Sequence, residues 1–128
     1  MTNIAVKGCT LELSPASSPE ATVTITTPAS TTTKADGNAV YSGPLSITIA
    51  GYTGGAITVA GSGATTSPAI LQPGATKYKV DGKAVVLEGD STTVVVTGLA
   101  TAGTTTTTAT QQVTIKIKSA GQSKCKAV

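Results

Sequence analysis

The chain has 128 residues, with nine lysines, six acids and a net charge of +3, and it contains neither arginine nor histidine. That length predicts one domain, residues 1–128. Without arginine for bidentate phosphate contacts, and with no Trp, no Phe and three Tyr for base stacking, the composition excludes a dedicated nucleic-acid binder. The lack of histidine removes Ser-His-Asp and Cys-His nucleophilic catalysis and most zinc-ligand sets, so no enzyme and no cofactor are expected.

Threonine occurs 26 times, which favours exposed strand positions over helix. The core must therefore be built from Val, Ile, Leu and Ala. No apolar run reaches the length of a membrane span. The first residues lack the basic region and long apolar stretch of a secretory signal, so the chain is expected to be made in the cytoplasm. Cys9 and Cys125 stand near opposite ends. Free thiols are the default in that compartment, and a bond tying the two ends is the other option.

In chain order, residues 4–6 and 10–13 read as short strands separated by a bend at Gly8-Cys9. Residues 14–20 hold two prolines and read as a loop. Residues 21–27 alternate cleanly, with Val23 and Ile25 on one face and threonines on the other. Residues 45–49 repeat that pattern through Leu45, Ile47 and Ile49. A turn is expected at residues 51–55, a strand at 56–60 and a flexible Gly/Ser/Thr loop at 61–68. Short strands follow at 69–71 and 76–80. Residues 92–97 are β-rich, and the low-complexity run 99–110 reads as a loop. Residues 112–118 give the clearest strand, with Val113, Ile115 and Ile117 inward and Thr114, Lys116 and Lys118 outward. Many short strands with no helical period predict an all-β chain.

The second half of this pattern is organised around residues 79–93. Asp81-Gly82 is a strong hairpin signal, because a two-residue type I′ turn needs φ > 0 at both central positions. The stretch Lys34-Ala-Asp-Gly-Asn-Ala-Val-Tyr41 matches Lys79-Val-Asp-Gly-Lys-Ala-Val-Val86, and Pro28 matches Pro73. Both copies pass a glycine (Gly43, Gly89) and end on another (Gly51, Gly98). Two copies in so short a chain predict one small β-unit used repeatedly around a shared core.

The six acids are Glu12, Glu20, Asp36, Asp81, Glu88 and Asp90. Asp36-Gly37 and Asp81-Gly82 are expected in hairpin turns. Glu88-Gly89-Asp90 could supply the two carboxylates of a glycosidase, but a second turn is the better reading, with Asp90 accepting from N–H groups two residues on. Lys116, Lys118, Lys124 and Lys126 form a basic strip. It reads as a solvated strand face plus tail that guards a sheet edge, or as a docking strip for an acidic partner.

The string Lys79-Val-Asp-Gly-Lys-Ala-Val-Val-Leu-Glu-Gly-Asp90 resembles the NGKPAARVGD type of segment found in PAAR-repeat proteins, and Asp36 to Gly43 resembles it more weakly. The resemblance covers residues 34–98 and their flanks. It implies a small conical fold of hairpins that caps the trimeric β-helical spike of a contractile injection system or phage tail. One copy per assembly would sharpen the spike for membrane piercing at the tip of the baseplate. PAAR proteins hold zinc near the apex through histidines and a cysteine, a site this histidine-free chain does not carry over. The implied cone has three arms, two from the repeats and the third expected from residues 99–122. The alternative reading is a β-sandwich, Ig-like, acting as a decoration or surface interaction module of a phage or bacterial particle.

Overall fold

The computed structural model describes residues 2–14, 17 and 21–127. Among them there are strands and no helix, as the threonine-rich alternation predicts. The strands are β1 (Thr2–Asn3), β2 (Thr10–Ser14), β3 (Thr22–Ile25), β4 (Lys34–Ala35), β5 (Asn38–Ala39), β6 (Leu45–Tyr52) and β7 (Gly63–Thr65). They continue with β8 (Ala69–Leu71), β9 (Lys79–Val80), β10 (Lys83–Ala84), β11 (Ser91–Ala102), β12 (Thr105–Ser119) and β13 (Lys126–Ala127). Every strand pairing is antiparallel.

Seven strands form one sheet in the order β2-β12-β11-β7-β6-β3, with β8 paired to the edge of β6 that β7 also uses, opposite β3. Its two ends, β2 and β3, line a common groove of about 430 Å³ containing Leu11, Val23 and Ile25. The sheet is therefore one layer curled on itself and not two separate facing sheets. Inside the curl, Leu45, Ile47 and Ile49 of β6 meet Val113, Ile115 and Ile117 of β12, all at most 2% exposed. Tyr52 and Val96 complete this larger core. Burying each such aliphatic side chain contributes about 1.5–3 kcal/mol, which lets a core without Trp or Phe hold the fold.

Three two-stranded ribbons lie outside the sheet: β4–β5, β9–β10 and β1–β13. They enclose a second, smaller core of Ile4, Val6, Ala35, Val40, Ala75, Val80, Val85, Leu87 and Ala127.

Several segments differ from the sequence expectation. Residues 99–110 are not a loop: they form the outer half of the β11–β12 hairpin, paired rung by rung to Ala102↔Thr105. A threonine run has high strand propensity, and the long-range partner decides the outcome. Residues 56–60 are not a strand, although they alternate; only Ile57 is buried, and the segment folds as a loop closed by the Gly54↔Ile57 bridge. The expected loop at 61–68 contains β7, and β6 runs through the expected turn at Gly51 with a register shift between Ala50 and Tyr52. Most of the expected proline loop, 14–20, lies outside the described residues.

Gly98, the closing glycine of the second copy, has a steric reason. A Cβ there would meet Ile57 Cγ2 at 2.8 Å and the Gly63 backbone at 3.0 Å. Gly51, its counterpart, is instead required by a positive φ of 72°. The same letter at equivalent positions thus answers two different constraints.

Candidate functional site

Three short segments meet between the two cores: residues 3–7, 39–43 and 84–88. Their backbones close a ring of hydrogen bonds. Ala5 N–H donates to Val86 O (2.8 Å), Val86 N–H to Tyr41 O (3.2 Å) and Tyr41 N–H to Ala5 O (3.1 Å). Outside it runs a second ring of the opposite sense. Lys7 N–H donates to Ala39 O (2.8 Å), Gly43 N–H to Ala84 O (2.7 Å) and Glu88 N–H to Asn3 O (2.9 Å). The bridges Val6↔Val40, Ser42↔Val85 and Ile4↔Leu87 obey the same rule. Each segment therefore pairs with both others, and a cyclic exchange of the three maps every bond onto another. One chain builds a pseudo-threefold axis.

Strand alternation explains how the ring separates the cores. The central residues Ala5, Tyr41 and Val86 point into the larger core. Ile4, Val40 and Val85 point the other way, into the smaller one, as do Val6 and Leu87.

Each ring segment is the outgoing strand of one ribbon. The pairs Lys34↔Ala39, Lys79↔Ala84 and Lys126↔Asn3 occupy equivalent places. In two ribbons the turn is Asp-Gly. Asp36 and Asp81 have φ of 51° and 54°, and Gly37 and Gly82 have φ of 80° and 77°. Both central positions thus lie in the region a type I′ turn requires. The third arm does not come from residues 99–122. It is β13 followed in space by β1, so the two ends of the described chain sit where the third turn would be. Sequence reading could not find it, because no Asp-Gly dipeptide marks a turn assembled from separate ends. The available signal was Lys126-Ala127, which repeats Lys34-Ala35, together with Ile4-Ala-Val6.

Four of the acids, Asp36, Asp81, Glu88 and Asp90, are structural ties. Asp81 accepts hydroxyl bonds from Thr32 (Oδ1, 3.0 Å) and Ser30 (Oδ2, 2.9 Å), fastening the second hairpin to the approach of the first. Asp36 lies 3.4 Å from Lys124 Nζ. Glu88 accepts from Ala120 N–H (Oε1, 3.1 Å). Asp90 does not accept from two residues on; its Oδ2 takes N–H bonds from Leu87 (2.8 Å) and Gly74 (2.7 Å). Gly89, with φ of 92°, turns the chain between them.

The expected basic strip splits. Lys116 and Lys118 are exposed on β12 of the large sheet, while Lys124 and Lys126 belong to the terminal ribbon and its approach. Cys9 and Cys125 are free and half-buried. Burial raises the Cys9 thiol above its ordinary value, and burial together with the Cys9 charge raises the neighbouring Tyr41 phenol. Among the described residues no three His, Cys, Asp or Glu side chains come together as a metal site.

At the end away from the ribbons, β11 and β12 project as a hairpin. Residues 101–108 are exposed on both faces. Strand β2 covers β12 only from Thr114 onward, leaving the outer edge of residues 105–113 without a strand partner among the described residues. No charged residue occurs between positions 91 and 115. Solitary proteins protect long edges with Lys, Pro or bulges, and this edge carries no such charge or proline. No family model, curated protein or solved structure matches this chain.

Proposed function

We propose that this protein is the tip of a spike, seated in one copy on the axis of a trimeric β-helical partner in a contractile injection system or phage tail. The cyclic ring joining residues 3–7, 39–43 and 84–88 carries the reading. A single chain has little reason to imitate threefold symmetry unless it sits on a threefold axis, where a closed cyclic assembly leaves one unpaired end. That end exposes strand edges and apolar cross-section, both costly in water.

The molecule has two unlike ends suited to this place. The ribbons form a narrow apex tied by short turns and by Asp81, Asp36 and Glu88. The uncharged β11–β12 hairpin has an outer edge without a strand partner among the described residues, whose backbone donors and acceptors suit a β-rich partner. Lys116 and Lys118 stand nearer the ring on the same strand and flank this docking edge. The role is mechanical: the spike is driven forward, and a small rigid apex concentrates the force on the target membrane. The particle assembles from a chain made in the bacterial cytoplasm. The sandwich alternative draws no support from a single curled sheet.

Native mass spectrometry of the assembly purified from its source tests this reading. One copy of this chain per three copies of a larger partner is expected. Many copies per particle, or a chain that never associates, would overturn it.

A further inference from the structure

Charge is distributed very unevenly along the axis. Six of the nine lysines, Lys34, Lys77, Lys79, Lys83, Lys124 and Lys126, lie on the three ribbons or their approaches, against two acids there, Asp36 and Asp81, with Glu88 set back on the ring at the base of the apex and engaged by Ala120 N–H. Both acids are already engaged, Asp36 by Lys124 and Asp81 by the Ser30 and Thr32 hydroxyls. Among the described residues no other lysine of the apex is within ion-pair reach of a carboxylate. The opposite hairpin carries no charge at all.

The arrangement is also symmetric. Lys34, Lys79 and Lys126 are the three equivalent residues of the ribbons, each exposed and each followed by a buried residue, Ala35, Val80 or Ala127. The pleat therefore turns all three ammonium groups outward around the axis. Tyr78 stands between Lys77 and Lys79 and is 46% exposed. A half-exposed aromatic beside cations is the composition of residues that settle at a membrane–water interface.

We propose that the apex binds the phosphates of anionic lipid headgroups, with Lys34, Lys79 and Lys126 as its three principal contacts. Lysine is a strongly hydrated point charge on a flexible stem, suited to many phosphates on a plane. A single bound anion would call for converging donors in a pocket, and these three lysines diverge around a cone. The proposal rests on the spike-tip reading only for which end leads, and its chemistry is that of the apex itself.

The test uses the isolated full chain and co-sedimentation with phosphatidylcholine vesicles, with and without phosphatidylglycerol, at low salt. Binding is expected only with phosphatidylglycerol and should fall as salt rises. Each basic residue at an anionic surface contributes about fivefold to binding, so Lys34→Gln with Lys79→Gln should weaken it about 25-fold. The charge-matched pair Lys116→Gln with Lys118→Gln should change it less than about twofold. Lys79→Gln with Lys126→Gln repeats the first arm should one pair disturb folding, with thermal melting as the control. Equal losses from apex and sheet pairs, or no binding to the anionic vesicles, would overturn the proposal. Release by inorganic phosphate beyond that caused by chloride of equal ionic strength would show a free-phosphate site and overturn it too. Failure here leaves the copy number on the spike untouched, and a wrong copy number leaves vesicle binding untouched.

Discussion

Asn3 occupies the ring position that the other two arms give to Ala39 and Ala84. Its Nδ2 reaches Glu88 Oε2 only at 3.5 Å, and its Oδ1 is buried with no partner among the described residues. A buried unsatisfied acceptor costs about 1–3 kcal/mol, more than a long hydrogen bond returns. Asn3→Ala is therefore expected to raise stability by about 1 kcal/mol, read from the midpoint of urea unfolding. A loss of that size would show that the amide works in the ring in a way its two counterparts do not. At this scale the sequence was most informative where chemistry is local. Asp81-Gly82 announces its own turn, because few other dipeptides tolerate two positive φ values. The tasks of Asp90 and Glu88 were hidden, since their partners Gly74 and Ala120 are far away in the chain.

Elements were legible in proportion to how cleanly one face is buried. Strands β3, β6 and β12 alternate in sequence and alternate in burial, because a half-buried strand must. Residues 56–60 alternate too, but glycines on both sides and one buried side chain, Ile57, leave them a loop. The outer part of β11–β12 failed in the other direction. It has no buried face to betray it, and its pairing is purely a matter of backbone and β-branched threonines. That exposed part is also where an element-scale prediction belongs. Deleting residues 101, 102, 105 and 106 removes two rungs, two residues from each strand, and keeps the Gly103-Thr104 turn. Removing an even number of residues preserves which side chains face the core. The shortened chain should melt within about 1 kcal/mol of the original, because exposed threonines bury little apolar area. If the hairpin docks on the spike, the tip should disappear from the native mass spectrum of the assembled particle. Full retention would move the docking surface elsewhere on the sheet.

At the scale of the molecule, the ring implies that the third ribbon, assembled from β13 and β1, has the geometry of a hairpin. Thr2 pairs with Ala127 and Asn3 with Lys126, in the register of Asn38 with Ala35 and Ala39 with Lys34. Two positions, 128 and 1, separate the paired residues, as Asp36 and Gly37 do in the first ribbon. A circular permutant should therefore fold when residue 128 is joined directly to residue 1 and new ends are opened between Gly103 and Thr104. Two versions sharpen the argument: one keeps Val128-Met1 at the junction, the other replaces them with Asp-Gly. A two-residue turn of this kind needs φ > 0 at both places, which costs a non-glycine side chain about 1–2 kcal/mol each. Asp-Gly relieves most of that, as it does at Asp81-Gly82. The Asp-Gly version should be more stable by about 1–3 kcal/mol in chemical denaturation, with the same circular dichroism spectrum as the parent chain. Equal stability of the two versions would mean that the junction is not a tight turn, and the three arms would be equivalent in the ring but not in their ribbons. An unfolded permutant of both kinds, with the parent opened at 103–104 by proteolysis still folded, would show that residues 128 and 1 cannot be joined by a tight turn. The threefold pattern would then stop at the hydrogen-bond ring.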